Sequence, residues 1–153
     1  MVRKIENLKI FNLSYDFLLK VYEILKILPE SEFRNIYSQL QRAATSIVLN
    51  IVEGASNRSN KVFLNHLQYS FGSCKEVKIL LMLCLDLNYI DEQKYSELAN
   101  YLDILTASIF KFMNTVNNEI EMKKENYSLN KNKLNFRNIV PDFVDNFSLN
   151  NIQ

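Results

Sequence analysis

His66 is the only histidine in the chain, so any imidazole acid–base, nucleophilic or metal chemistry must be built there. Metal ligation by a helical bundle needs partners at helical spacing, such as Glu-x-x-His, and none surrounds this residue. With Asn65 and Gln68 beside it, His66 is expected on a solvated helix face. Cys74 and Cys84 have no histidine nearby to form a nucleophilic pair, and both fall on apolar-stripe positions. Glu53 with Glu76 is the one carboxylate pair that a hydrolase or transferase could use. No glycine-rich phosphate loop, Walker pattern or GxSxG elbow occurs. The expectation is therefore a protein that is not an enzyme, with no catalytic residue, metal site or cofactor.

The polar residues that remain are ordered. Over Gln39 to Ser59, QLQRAATSIVLNIVEGASNRS, the side chains Gln39, Arg42, Ser46, Asn50 and Glu53 recur at steps of three and four. That spacing puts them on one helix face, with Leu40, Ala43, Ala44, Ile47 and Ile51 on others. The stripe has two readings: a ladder that fixes helix register, or a face that binds something. Glu53, in the last turn, is poorly placed for its own helix dipole but well placed for the start of the next helix. Glu53, Gly54, Arg58 and Ser59 are thus expected to form a structural corner, with Glu53 holding Arg58 or the free N–H groups near Ser59. For a phosphate-facing, nucleic-acid-binding patch the candidates are Arg42, Arg58, Lys61, Lys75 and Lys78.

Helices must position these groups. Two glycines and two prolines among 153 residues are too few for the turns of a sandwich or barrel. A first helix is expected over about Leu8 to Leu28, with Phe11, Leu18, Val21, Tyr22, Leu25 and Leu28 inward and Pro29 as its stop. A second begins in the PESE turn, with Glu30 and Glu32 favoured at its start, and ends at Gly54 in left-handed conformation. Ser59 caps a third, carrying Phe63, Leu67, Phe71, Cys74, Val77, Leu81 and Cys84 or Leu85. Asn88 ends it and Asp91 caps a fourth, with Tyr95, Leu98, Leu102, Leu105, Ile109, Phe112, Met113 and Val116 at helical spacing. The fold class that follows is all-α, an antiparallel up-down-up-down four-helix bundle over residues 1–120 with an irregular C-terminal tail over 121–153.

Leu13, Phe17 and Ile24 on the first helix, and Ile79, Met82 and Leu83 on the third, lie off these stripes. Surplus apolar faces mark interfaces, so a homo-oligomer is expected. From about Glu121 the composition turns to asparagine, lysine and serine. Near the end, Pro141 could open a helical turn presenting Phe143, Val144 and Phe147. That segment either lies on its own bundle or a neighbour, or docks a protein partner.

Residues 1–120 carry 13 Lys/Arg and 13 Asp/Glu, which argues against a large nonspecific nucleic-acid footprint on one subunit. Residues 1–89 hold 11 basic and 8 acidic side chains, and 91–119 hold 2 and 5. The fourth helix is therefore acidic and the other three mildly basic. Cys74 and Cys84, ten residues apart on one helix, are separated by about 15 Å and cannot bridge. With no signal peptide and no membrane-length apolar run, a cytoplasmic location is expected.

VYEILKILPESE, QLQRAATSIVLNIVEG, the following NRS, Phe63, GSCKE at 72–76 and LNYI together resemble the four-helix-bundle family of 23S rRNA intervening-sequence proteins, over about residues 8–116. The chain departs from that pattern at Val48, where proline is common, at Ser56, often glycine, and at Val62, often glutamate. Without that glutamate the Ser59 capping box lacks its reciprocal acceptor. Asn88 stands for the usual glycine. The resemblance implies a bundle assembled into a closed ring, five-fold in relatives, with no enzymatic activity. Proteins related to that family include the accessory subunit of diversity-generating retroelements, which looks like a basic ring that binds a reverse transcriptase and nucleic acid. The expected function is a non-enzymatic oligomeric scaffold or adaptor contacting RNA or cDNA through repeated basic residues. The alternative is a protein-interaction module, such as a reverse transcriptase accessory subunit, docking its partner without touching nucleic acid.

Overall fold

The computed structural model describes residues 3–139. They form four helices, α1 (Lys9–Leu25), α2 (Ile36–Ser56), α3 (Asn60–Asp86) and α4 (Glu92–Ile139), with 3₁₀ turns at Ile5–Asn7 and Glu30–Glu32. The chain divides into two units, Met1–Asn117 and Asn118–Gln153. The first is an antiparallel four-helix bundle.

Local chemistry sets most of the helix ends. Pro29 disfavours helical geometry in the residue before it, and α1 gives way to a tighter turn at Ile27, whose N–H donates to Ile24 O at 3.0 Å. The helix therefore ends at Leu25, short of the expected Leu28. The PESE segment forms the 3₁₀ turn instead of opening α2, which starts only at Ile36. Ser59 Oγ accepts the Val62 N–H at 3.4 Å and caps α3. Asn88 takes a left-handed φ of 59° after α3, and Asp91 Oδ1 accepts the Lys94 N–H at 2.7 Å to cap α4. Caps of this kind contribute about 1 kcal/mol each.

Two expectations about helix ends are corrected. Gly54 is helical, no glycine has positive φ, and α2 continues to Ser56. Its lack of a side chain serves packing instead. A Cβ there would lie 2.5 Å from Phe63 Cδ2 and 2.9 Å from His66 Cβ, so the glycine lets α3 cross close to α2. The first part of the expected irregular tail is also helical: α4 runs on from Glu121 through Ile139. No glycine or proline intervenes before Pro141, and Lys124 Nζ pairs with Glu121 at 2.8 Å one turn back. In the second unit the side chains from Glu121 to Lys131 are all exposed. Phe143, Val144 and Phe147 lie outside the described residues.

Each bundle helix lines the core with one stripe. Phe17, Ile24, Leu40, Ile47, Ile51, Phe63, Leu67, Leu81, Leu98, Leu102, Leu105 and Ile109 are fully buried, each worth about 1.5–3 kcal/mol in transfer free energy. On α1 the inward stripe is Ile10, Ser14, Phe17, Val21 and Ile24. Phe17 and Ile24 are thus core residues, and the expected core residue Tyr22 is exposed. Ser14 hides this stripe from a hydropathy reading. It is buried because its hydroxyl donates to Phe11 O at 2.8 Å. On α3 the surplus face is real: Ile79 is 63% exposed, and Met82 and Leu83 are exposed with it.

The helices sit in sequence order around the core. α2 packs on both α1 and α3. α4 closes the square, with Phe17 of α1 stacked on Tyr101 and Phe63 of α3 edge-on to Phe112. α1 and α3 occupy opposite corners.

Candidate functional site

The polar stripe of α2 divides when the bundle forms. Ser46 and Asn50 turn toward α3, while Arg42 and Glu53 stay at the surface. The inner pair begins a hydrogen-bonded ladder across the α2–α3 seam. Ser73 Oγ donates to Ser46 Oγ at 3.0 Å, and Asn50 Nδ2 donates to Ser46 Oγ at 3.1 Å and to Ser46 O at 2.9 Å. Asn50 Oδ1 faces His66 Nδ1 at 3.1 Å, which calls for the Nδ1–H tautomer as donor. Glu53 Oε2 stands 3.6 Å from the same nitrogen. Ser70 Oγ, buried, donates to Ile47 O at 2.9 Å just inside the ladder. Among the described residues no buried side-chain polar atom lacks a partner.

His66 is therefore a seam residue and not a solvated one. The flanking Asn65 and Gln68 mislead; the useful signal is the spacing of His66, Ser70 and Ser73, which marks a polar flank of α3 opposite the stripe of α2. Glu53 turns to this histidine, while Arg58, exposed beyond the helix end, has no hydrogen bond or ion pair among the described residues. In the corner, Ser59 caps α3 and its own N–H donates to Asn57 Oδ1 at 3.0 Å.

Outside the ladder lies an open groove of about 520 Å³ whose walls include Tyr22 of α1 and Arg42, Thr45, Ser46, Leu49 and Glu53 of α2. Gln41 Nε2 donates to Tyr22 Oη at 3.1 Å and fixes the tyrosine over the rim. Arg42 is exposed and makes no hydrogen bond or ion pair among the described residues.

The five basic candidates are not gathered. Arg42 belongs to this groove and Arg58 to the α2–α3 loop. Lys78 turns to α4 and pairs with Asp103 at 2.7 Å, which raises its pKa. Lys75 lies over the Phe71 ring, 4.9 Å from its centre, and that ring meets Phe110 of α4. Lys61 is exposed at the start of α3. On α1, Lys20 reaches Glu97 of α4 at 2.9 Å. Two of the five acidic side chains over residues 91–119, Glu97 and Asp103, thus pair with lysines from the two neighbouring helices.

Burial pushes the thiols of Cys74 and Cys84 up to about 11, far from a nucleophilic thiolate at neutral pH. Glu76 lies ten residues beyond His66 on α3, about 15 Å along the helix from the group that Glu53 faces. The two carboxylates do not converge. Among the described residues no three ligating side chains cluster for a metal, and no helix is long and apolar enough to cross a membrane.

A family model described as 23S rRNA-intervening sequence protein matches residues 6–111. The chain belongs to that family. The match spans all of α1, α2 and α3 and the first part of α4. A solved structure from Bacteroides thetaiotaomicron, a protein of unknown function from the S23 ribosomal protein family, shares the fold. It is 22% identical, with a TM-score of 0.64, over 69% of this chain and 95% of the other. No curated protein matches. Family membership thus fixes the bundle and leaves the activity to be argued from the surface.

Proposed function

We propose that this member of the 23S rRNA-intervening sequence protein family is a non-enzymatic scaffold that works as a homo-oligomer, in a cytoplasmic setting. One observation carries the proposal: exposed apolar strips stand on opposite corners of the bundle. Ile79, Met82 and Leu83 form one on α3, and Tyr15 and Leu19, one turn apart, form the other on α1. Exposed apolar side chains that adjoin along a helix mark a contact surface. Because the strips differ, the α1 strip of one copy would meet the α3 strip of the next. Such heterologous contacts close into a ring when the rotation allows, and the five-fold ring implied by resemblance is one such closure.

The spread of Arg42, Arg58, Lys61, Lys75 and Lys78 over separate flanks, with Lys78 already paired, favours the protein-docking form of this scaffold over a nucleic-acid grip. RNA or cDNA contact would need repetition around the ring to build a patch. A reverse transcriptase or another protein is the partner class that fits a ring of largely neutral bundles.

Light scattering on concentrated protein tests the scaffold. A multiple of 18.0 kDa is expected. Leu19→Asp and Met82→Asp should each lower the mass, and mixing the two variants should restore one contact, because each keeps the strip the other lost. A lone 18.0 kDa particle at high concentration would overturn the proposal. Salt-dependent retention on RNA, weakened by Arg58→Ala or Lys75→Ala, would instead support direct nucleic-acid contact.

A further inference from the structure

The outer stripe of α2 is self-complementary. Arg42 and Glu53 lie on one line of the helix, eleven residues or about 16 Å apart, with Thr45, Ser46 and Leu49 between them along the groove. Reversing the helix about the level of Ile47 and Val48 superimposes each position on its counterpart. Arg42 falls on Glu53, Thr45 on Asn50 and Ser46 on Leu49. A second copy laid antiparallel on this stripe therefore meets opposite charge at both ends. Its leucine also meets a small residue on each side of the centre.

We infer that α2 is an isologous docking surface for a second copy of this chain, distinct from the strips on α1 and α3. The occupant is specified by charge. Arg42 has no ion pair among the described residues, and the Glu53 side chain is 62% exposed while its Oε2 reaches His66. The second carboxylate oxygen is open to a guanidinium from outside. Rim ion pairs of this kind add little affinity but set register and exclude wrong alignments. Contact area comes from Leu49, half exposed, and from the Tyr22 ring held over the groove by Gln41. Thr45 and Ser46 are small enough for two helix backbones to approach.

This surface does not rest on the ring. If both exist, α2 links one ring to another; if only this one exists, the protein is a plain dimer. The test is a charge swap followed by sedimentation equilibrium on the full chain, with melting curves confirming that each variant is folded. In a Leu19→Asp background, which removes the α1 strip, a dimer is expected. Arg42→Glu and Glu53→Arg should each raise its dissociation constant by about ten-fold or more through like-charge contact. The doubly swapped chain should dimerise again, and so should an equimolar mixture of the two single variants, since one supplies what the other lost. Leu49→Asp should abolish the dimer without rescue by mixing. A Leu19→Asp protein that is already monomeric overturns the inference. Single swaps that leave the dimer unchanged, or that are not rescued by pairing, do so as well. Neither result bears on the strip contacts, which are read from the change in mass that Leu19→Asp itself produces.

Discussion

Gly54 is present for closeness and not for a turn. The ring of Phe63, fully buried, and the Cβ of His66 occupy the space a side chain at this position would need. Neither can swing away, because one belongs to the core and the other is anchored to its backbone. Gly54→Ala should therefore destabilise the bundle by about 1–3 kcal/mol as an overpacked site, despite the better helix propensity of alanine. Urea denaturation would measure the loss, and Phe63→Leu added to Gly54→Ala should cost less than the two changes summed. At this scale the sequence marks the position without its cause. A glycine at the end of a helical pattern is ordinarily a C′ residue, and only the neighbouring helix shows that this one is a crossing point. His66 is masked for a similar reason, since its sequence neighbours face solvent while it faces Asn50, and only its spacing with Ser70 and Ser73 points to the seam.

Helix by helix, the charges settle a different question. On opposite flanks of α4, Glu97 takes Lys20 from α1 and Asp103 takes Lys78 from α3. Glu97 is held below its ordinary value by its bond to Lys20 and further by Lys94, and Lys20 is raised by the same bond. A carboxylate with a lowered folded pKa contributes stability that is present above its unfolded value and lost as pH falls through the folded one. The Lys20–Glu97 contribution should therefore fade below pH 4.5, the ordinary value. Glu97→Gln should lower the melting midpoint at neutral pH and leave it nearly unchanged in acid. Equal effects at both pH values would contradict this. Both groups are solvent-exposed, so the effect is small. Caps were legible in the sequence: Ser59, Asn88 and Asp91 each act on backbone within a few residues, and local chemistry suffices. The inner face of α1 was not, because a satisfied Ser14 interrupts its apolar pattern. The far end of α4 was not, because composition suggested a tail where no stop signal stood.

For the whole molecule, the sequence disclosed four apolar rods and their order, and the structure adds which surplus residues stay outside. A protein that buries its strips between copies gains stability by mass action. Its melting midpoint should rise with protein concentration, as calorimetry at two widely separated concentrations would show, and the rise should shrink in Met82→Asp. An unchanged midpoint in the parent protein would argue for a self-sufficient bundle. Under the proposed assembly, the opposite-corner placement of the α1 and α3 strips would also govern what happens in mixed populations. In the proposed assembly a copy with one strip ruined would still be recruited through the other, yet would recruit nothing in turn. Such a copy acts as a terminator and not as a bystander, so a damaged minority would limit the sound majority out of proportion to its share.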